Sequence, residues 1–77
     1  MKKKISLKSP EDATDFINLC SKYDYDINIY DGHNVIDAKS IIAVFSIPQG
    51  KEILVEILAD KKCIEEKFIS EMRRFKV

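Results

Sequence analysis

The chain has 77 residues and balances 13 lysines and arginines against 13 aspartates and glutamates. A chain of this length forms one small domain over 1–77, and its 45% hydrophobic content is enough for a packed core. The neutral charge gives no general attraction for nucleic acid, and no apolar stretch approaches membrane-spanning length. We therefore expect a cytoplasmic protein that binds neither nucleic acid nor membrane.

The first elements predicted are a strand and a helix. Ile5 and Leu7 alternate with polar residues between Lys3 and Lys8, which is typical of a half-exposed strand. Ser9-Pro10-Glu11-Asp12 favours a helix start, because serine can cap, proline suits the first helical position and carboxylates suit the positive helix end. One face of this helix carries the apolar residues Ala13, Phe16, Ile17 and Cys20.

A hairpin is predicted next. Residues Tyr25 to Tyr30 alternate between two faces, and Asp31-Gly32 is a turn signal because glycine accepts a positive φ easily. The return strand then runs from about Asn34 to Ala38. Its residues Ile36 and Ala38 face inward.

The last part of the chain predicts a short helix, a strand and a long helix. The short helix covers about 40–46 with Ser40 as its cap, and the strand covers 52–58. Asp60 is predicted to cap a final helix that continues through Phe75. The apolar stripe of that helix consists of Ile64, Phe68, Met72 and Phe75. The order β-α-β-β-α-β-α predicts an α+β open-faced sandwich, with a four-stranded antiparallel sheet and helices on one face.

Several short stretches resemble the HPr family, the phosphocarrier proteins of the bacterial sugar phosphotransferase system. They are Ser21-Lys22-Tyr23-Asp24, then Asp26-Ile27-Asn28-Ile29, and Lys39-Ser40-Ile41 with Val44. The resemblance implies the HPr fold, which has the same element order as the one predicted from periodicity.

The resemblance breaks where the family holds its phosphoryl-accepting histidine, in a Gly-Ile-His-Ala-Arg-Pro-Ala run. Ser9 occupies the histidine position, Glu11 the arginine position and Asp12 the proline position, and only Ala13 is retained. A hydroxyl is a weak nucleophile without a neighbouring base, and two carboxylates repel phosphate. We therefore predict no catalytic residue, with Ser9 acting as a helix cap, and a protein that is not an enzyme.

Ser40 matches the family's regulatory serine, which implies phosphorylation by an ATP-dependent serine kinase. It can equally be only the capping hydroxyl of the short helix. The resemblance also implies a partner-binding surface on that helix, formed by Ile41, Ile42, Phe45 and Ile47. We expect Ile41 and Val44 to face the core, and Ile42 and Phe45 to stay exposed. The alternative is that these residues pack under the 47–51 loop.

The remaining candidate residues have simpler interpretations. His33, the only histidine, is predicted to be an exposed turn residue, with a relocated phosphoacceptor as the alternative. Cys20 and Cys63 are predicted to be buried reduced thiols, with a redox pair as the alternative. We predict no metal site and no cofactor, because a closed zinc site needs about four ligands.

Two hypotheses about function follow. The first is a regulatory HPr-like monomer that does not carry phosphohistidine, is phosphorylated at Ser40 and binds proteins: phosphotransferase-system components, a serine kinase or a transcription regulator. The alternative is a diverged protein-interaction module on the HPr fold with no phosphotransfer role.

Overall fold

The computed structural model describes all residues, 1–77. Strands and helices follow one another in the predicted order. Their bounds are β1 Lys2–Ser6, α1 Pro10–Cys20, β2 Ile27–Asp31, β3 Asn34–Asp37, α2 Ile41–Phe45, β4 Glu52–Ile57 and α3 Lys62–Glu71, and a 3-10 turn covers Met72–Phe75. None of the helices combines the length and the hydropathy that a bilayer crossing requires.

The four strands form one antiparallel sheet in the order β1-β4-β2-β3. The first and last strands along the chain are therefore neighbours, and their register runs from Lys2 opposite Glu56 to Ser6 opposite Glu52. The tight turn between β2 and β3 places Gly32 at φ 62°, a backbone conformation that glycine adopts without steric cost. The α+β class and the four-stranded antiparallel sheet are confirmed.

The core lies between the helices and one face of the sheet. Phe16 of α1 meets Phe75 edge to face with ring centroids 5.7 Å apart, and Tyr23 meets Phe68 in the same way at 5.5 Å. The predicted alternation holds in β4, where every second residue is buried, whereas in β1 both Ile5 and Ser6 are buried. The sheet contributes Ile5, Ile27, Ile29, Ile53, Val55 and Ile57 to this core.

The final helix differs from its prediction at both ends. Asp60 does not cap it, because its carboxylate accepts a hydrogen bond from the Tyr25 hydroxyl at 3.0 Å. The helix begins at Lys62, and Lys61 stands at the cap position without a side-chain bond. At the other end the α-helix stops at Glu71 and tightens into the 3-10 turn, whose Met72 and Phe75 are buried.

Candidate phosphorylation and docking site

The side chains of Ser9 and Asp12 form hydrogen bonds with the backbone at the start of α1. Ser9 stands before the helix in extended backbone geometry, and its Oγ accepts a hydrogen bond from the Asp12 N–H at 3.2 Å. Asp12 Oδ2 in turn accepts from the Lys8 N–H at 3.1 Å. The first bond satisfies one of the backbone donors that a helix start leaves free, and the second links the residue before the cap to the first turn. Ser9 is thus a helix cap, as predicted.

The electrostatics of this turn oppose a phosphate. Glu11 and Asp12 both lie in the first turn, and the side chain of Asp12 bonds beside the backbone donors that would hold an anion. Sequence reasoning missed the bond from the Lys8 N–H. The Ser-x-x-Asp spacing was the available signal, since it is close to the reciprocal Ser-x-x-Glu capping pattern.

The first turn of α2 has the same cap and a different charge. Ser40 Oγ accepts a hydrogen bond from the Ala43 N–H at 3.4 Å, and no acidic residue lies in the turn. The preceding residue fixes the segment, because Lys39 Nζ donates to the Tyr23 carbonyl at 2.6 Å and the Lys39 N–H donates to Asp37 Oδ1 at 2.9 Å. The Ser40 hydroxyl is therefore held at a defined, half-exposed position.

Three apolar side chains of α2 are exposed, and we call them the α2 patch: Ile41 at 63%, Ile42 at 85% and Phe45 at 47%. The exposure of Ile42 and Phe45 is confirmed. The prediction that Ile41 faces the core is wrong, because a helix of five residues turns only one narrow face inward and Val44 occupies it at 1% exposure.

Ile47 is also a correction. It was predicted as part of the exposed surface, but it is 8% exposed and belongs to the core. The chain turns inward after α2, where the Ile47 N–H donates to the Val44 carbonyl at 3.2 Å, and this turn carries the side chain under the helix.

The start of α1 and the end of α2 lie next to each other. Between them lies a cavity of about 20 Å³, which holds roughly one water molecule. Its lining includes Ser9, Pro10, Ala13, Phe45 and Gln49. The fold thus places the Ser9 cap beside the α2 patch, across a gap too small for an organic ligand.

His33 lies exposed in the turn between β2 and β3, as predicted. The prediction for the cysteines is half right, since Cys20 is buried and Cys63 is exposed, and both are free thiols. Burial raises the pKa of Cys20 to about 12, so this thiol stays protonated at neutral pH. Nowhere in the chain do three histidine, cysteine, aspartate or glutamate side chains group as metal ligands would.

No protein-family model and no curated protein matches the sequence, but solved structures match the fold. The phosphocarrier protein HPr from Bacillus anthracis is 18% identical, with a TM-score of 0.76 over 100% of this chain and 96% of that one. HPr-C-His from Thermoanaerobacter tengcongensis is 20% identical, with a TM-score of 0.72 over 92% and 88%.

A third structure is Crh, the catabolite repression protein of Bacillus subtilis, described as an intertwined dimer with a swapped domain. It is 13% identical, with a TM-score of 0.67 over 95% of this chain and 86% of that one. All three likenesses cover most of both chains, and together they show that this chain has the HPr fold.

Proposed function

We propose that this chain is a regulatory HPr-like protein of a cytoplasmic phosphotransferase system, and that it neither carries phosphohistidine nor acts as an enzyme. It accepts a phosphate at Ser40 and, as a monomer, docks protein partners through the α2 patch. Such partners are phosphotransferase-system components, a serine kinase or a transcription regulator. The observation that carries the proposal is the carboxylate of Asp12, which lies in the first turn of α1, accepts the Lys8 N–H and repels an incoming anion there.

The argument against carriage rests on chemistry at Ser9. Phosphohistidine passes its phosphoryl group onward readily, whereas a serine phosphate ester is far more stable. The Ser9 hydroxyl has no base beside it, since its hydrogen-bond partner is the Asp12 N–H, and a hydroxyl without a base is a weak nucleophile. His33 does not replace the missing nitrogen, because it is exposed in a turn without a hydrogen-bond partner to orient it.

The argument for regulation rests on the charge around Ser40. Phosphorylation adds about −1.5 to −2 charges, and the first turn of α2 itself has no carboxylate, so the nearby acidic group is that of Asp37, which bonds the Lys39 N–H. The phosphate would stand at the border of the α2 patch, so it would change the charge of the docking surface without entering the core. This is a local modification that a partner can read directly.

The argument for docking rests on the exposure of the α2 patch. Ile42 is 85% exposed, and the nearby Ile41 and Phe45 are exposed as well. Clustered exposed apolar side chains mark contact surfaces more often than scattered ones do. Aromatic anchors such as Phe45 are enriched at protein interfaces.

The testing experiment compares two phosphoryl donors on the folded protein. With ATP and the HPr serine kinase we expect phosphate at Ser40, located by mass spectrometry and absent from the Ser40→Ala variant. With phosphoenolpyruvate and the enzyme that loads HPr we expect no labelling. Labelling by the second donor would refute the loss of carriage, and an unlabelled Ser40 would refute regulation at that residue.

A second candidate function is an interaction module that is never phosphorylated. The α2 patch favours it, because the exposure of Ile42 and Phe45 does not depend on a phosphate. The two candidates separate in a binding assay with a partner: the regulatory protein changes its affinity upon Ser40 phosphorylation, whereas the simple module loses affinity only when Ile42→Ser or Phe45→Ser removes the patch.

A further inference from the structure

Four cationic side chains surround one concavity at the β1 edge of the sheet. β1 is an outer strand, and the residue after the 3-10 turn bridges to it, with Lys76 opposite Ile5. The concavity has a volume of about 470 Å³. We call its cations the β1-edge cluster, and they are Lys3, Lys4, Arg73 and Lys76, with Val77 completing the lining.

Most of the charge in this cluster is not neutralised. Lys3, Arg73 and Lys76 have no carboxylate within 4.0 Å, whereas neighbouring Arg74 is paired with Asp15. Lys4 lies 3.7 Å from Glu52, but both side chains are more than half exposed, so the solvent screens this pair. A chain of zero net charge thus collects several free positive charges at one place.

We propose that the β1-edge cluster binds a carboxylate-rich segment of a protein partner. Lysine and arginine at a concave surface attract carboxylates at long range and raise the association rate. The lining has one apolar residue, Val77, and no aromatic side chain, so neither an apolar ligand nor stacked bases fit it. Four cations on a chain of zero net charge also form a smaller positive surface than the binding of a nucleic-acid backbone requires.

This surface goes beyond the proposed regulatory function. Its lining shares no residue with the Ser9 cap, with Ser40 or with the α2 patch. A partner docked at Ile42 and Phe45 therefore does not occupy the residues that bind an acidic segment at the β1 edge. The inference holds whether or not Ser40 is phosphorylated, so its test is independent of the kinase experiment.

The test is the fluorescence anisotropy of a labelled poly-glutamate peptide titrated with the purified protein at low salt. We expect saturable binding that Arg73→Glu with Lys76→Glu weakens by about tenfold or more. The matched control is Lys22→Glu with Lys67→Glu, which changes the net charge equally on exposed lysines outside the cluster. We expect this control to retain most of the affinity.

A second double variant, Lys3→Gln with Lys4→Gln, removes the positive charges that β1 contributes to the cluster. We expect it to weaken peptide binding too, and a folding defect near the C-terminal turn would not explain that loss. Thermal unfolding followed by circular dichroism verifies that each variant is folded. Equal losses of peptide affinity in the cluster and control variants would show that binding depends only on net charge, and this would overturn the proposal. Tighter binding of a single-stranded oligonucleotide of equal charge, or no peptide binding, would overturn it too.

Discussion

The helices α1 and α2 both begin with a serine cap, but their first turns differ in charge. Each is capped by a serine, Ser9 or Ser40, whose Oγ accepts from the N–H three residues later. That third residue is Asp12 in α1 and Ala43 in α2. Asp12 is itself in the first turn and its carboxylate accepts the Lys8 N–H, whereas Ala43 has no charge and the corresponding N–H of Lys39 bonds Asp37, which lies before the helix.

This difference in charge is the basis for expecting the two capped helix starts to respond differently to a phosphate. A cap satisfies backbone donors in either helix, so hydrogen bonding alone does not distinguish the two serines. Charge does, because a carboxylate in the first turn cancels the attraction of the positive helix end for a second anion. We therefore expect the first turn of α1, with Glu11 and Asp12, to repel a phosphate more strongly than the first turn of α2, beside which the single carboxylate of Asp37 bonds the Lys39 N–H.

The largest expected effect comes from giving α2 the acidic residue of α1. Ala43→Asp creates a Ser-x-x-Asp start, and we expect the rate of Ser40 phosphorylation to fall by about tenfold or more, because the carboxylate repels the incoming phosphate. Mass spectrometry of timed kinase reactions measures the rate. The neutral Ala43→Asn variant should keep most of the rate, and equal rates for Asp and wild type would contradict the electrostatic distinction.

The next effect separates the buried Ile47, which follows α2, from the exposed Ile42 within α2. Ile47→Ala should lower the free energy of unfolding by about 2 kcal/mol, near the low end for a buried isoleucine because Ile47 keeps 8% exposure. Ile42→Ala should change it by less than about 0.5 kcal/mol, since that side chain is exposed. Urea unfolding measures both, and similar values would show that the α2 patch is packed in solution.

A smaller effect compares the two caps directly. We expect Ser9→Ala to cost about 1 kcal/mol of unfolding free energy, because it removes a 3.2 Å bond that caps an eleven-residue helix. Ser40→Ala should cost about half as much, since its bond is 3.4 Å and its helix has five residues. Urea unfolding of the two variants gives the order, and a costlier Ser40→Ala would reverse the comparison.

The smallest effect concerns the other end of α1, where the chain buries an ionisable group without charge. The pKa of Cys20 is raised from 9.0 to about 12, so as the pH passes 9 the unfolded chain loses this proton while the folded chain keeps it. The stability that this group contributes is therefore full well below pH 9 and is lost as the pH rises from about 9 toward 12, with a loss of about 0.4 kcal/mol already at pH 9.

Chemical unfolding across this pH range tests the last prediction. Cys20→Ala should flatten the decline, whereas Cys63→Ser should leave it unchanged because that thiol is exposed. An unchanged slope in Cys20→Ala would assign the decline to another group. The hydroxyl of Tyr23, whose pKa is raised by burial and by its bond to Glu71, titrates at higher pH.

The element order and most of the core could be predicted from the sequence, because strand and helix periodicities repeat over enough residues. The alternation in β4 places Ile53, Val55 and Ile57 inward, and the helical spacing in α1 does the same for Phe16. The Ser9 cap was equally readable from its four-residue signal. The predicted cap at Asp60 failed because a distant hydroxyl, that of Tyr25, competes for its carboxylate.

The sequence by itself determined the α+β class and the helix start at Ser9, since each depends on neighbouring residues. Only the tertiary structure decided which apolar residues around α2 are exposed. Residues 41–45 are all apolar and form little more than one helical turn, so periodicity does not select a buried face. Packing against the sheet and α1 does, and it buries Val44 and Ile47 while leaving Ile41 and Ile42 in solvent.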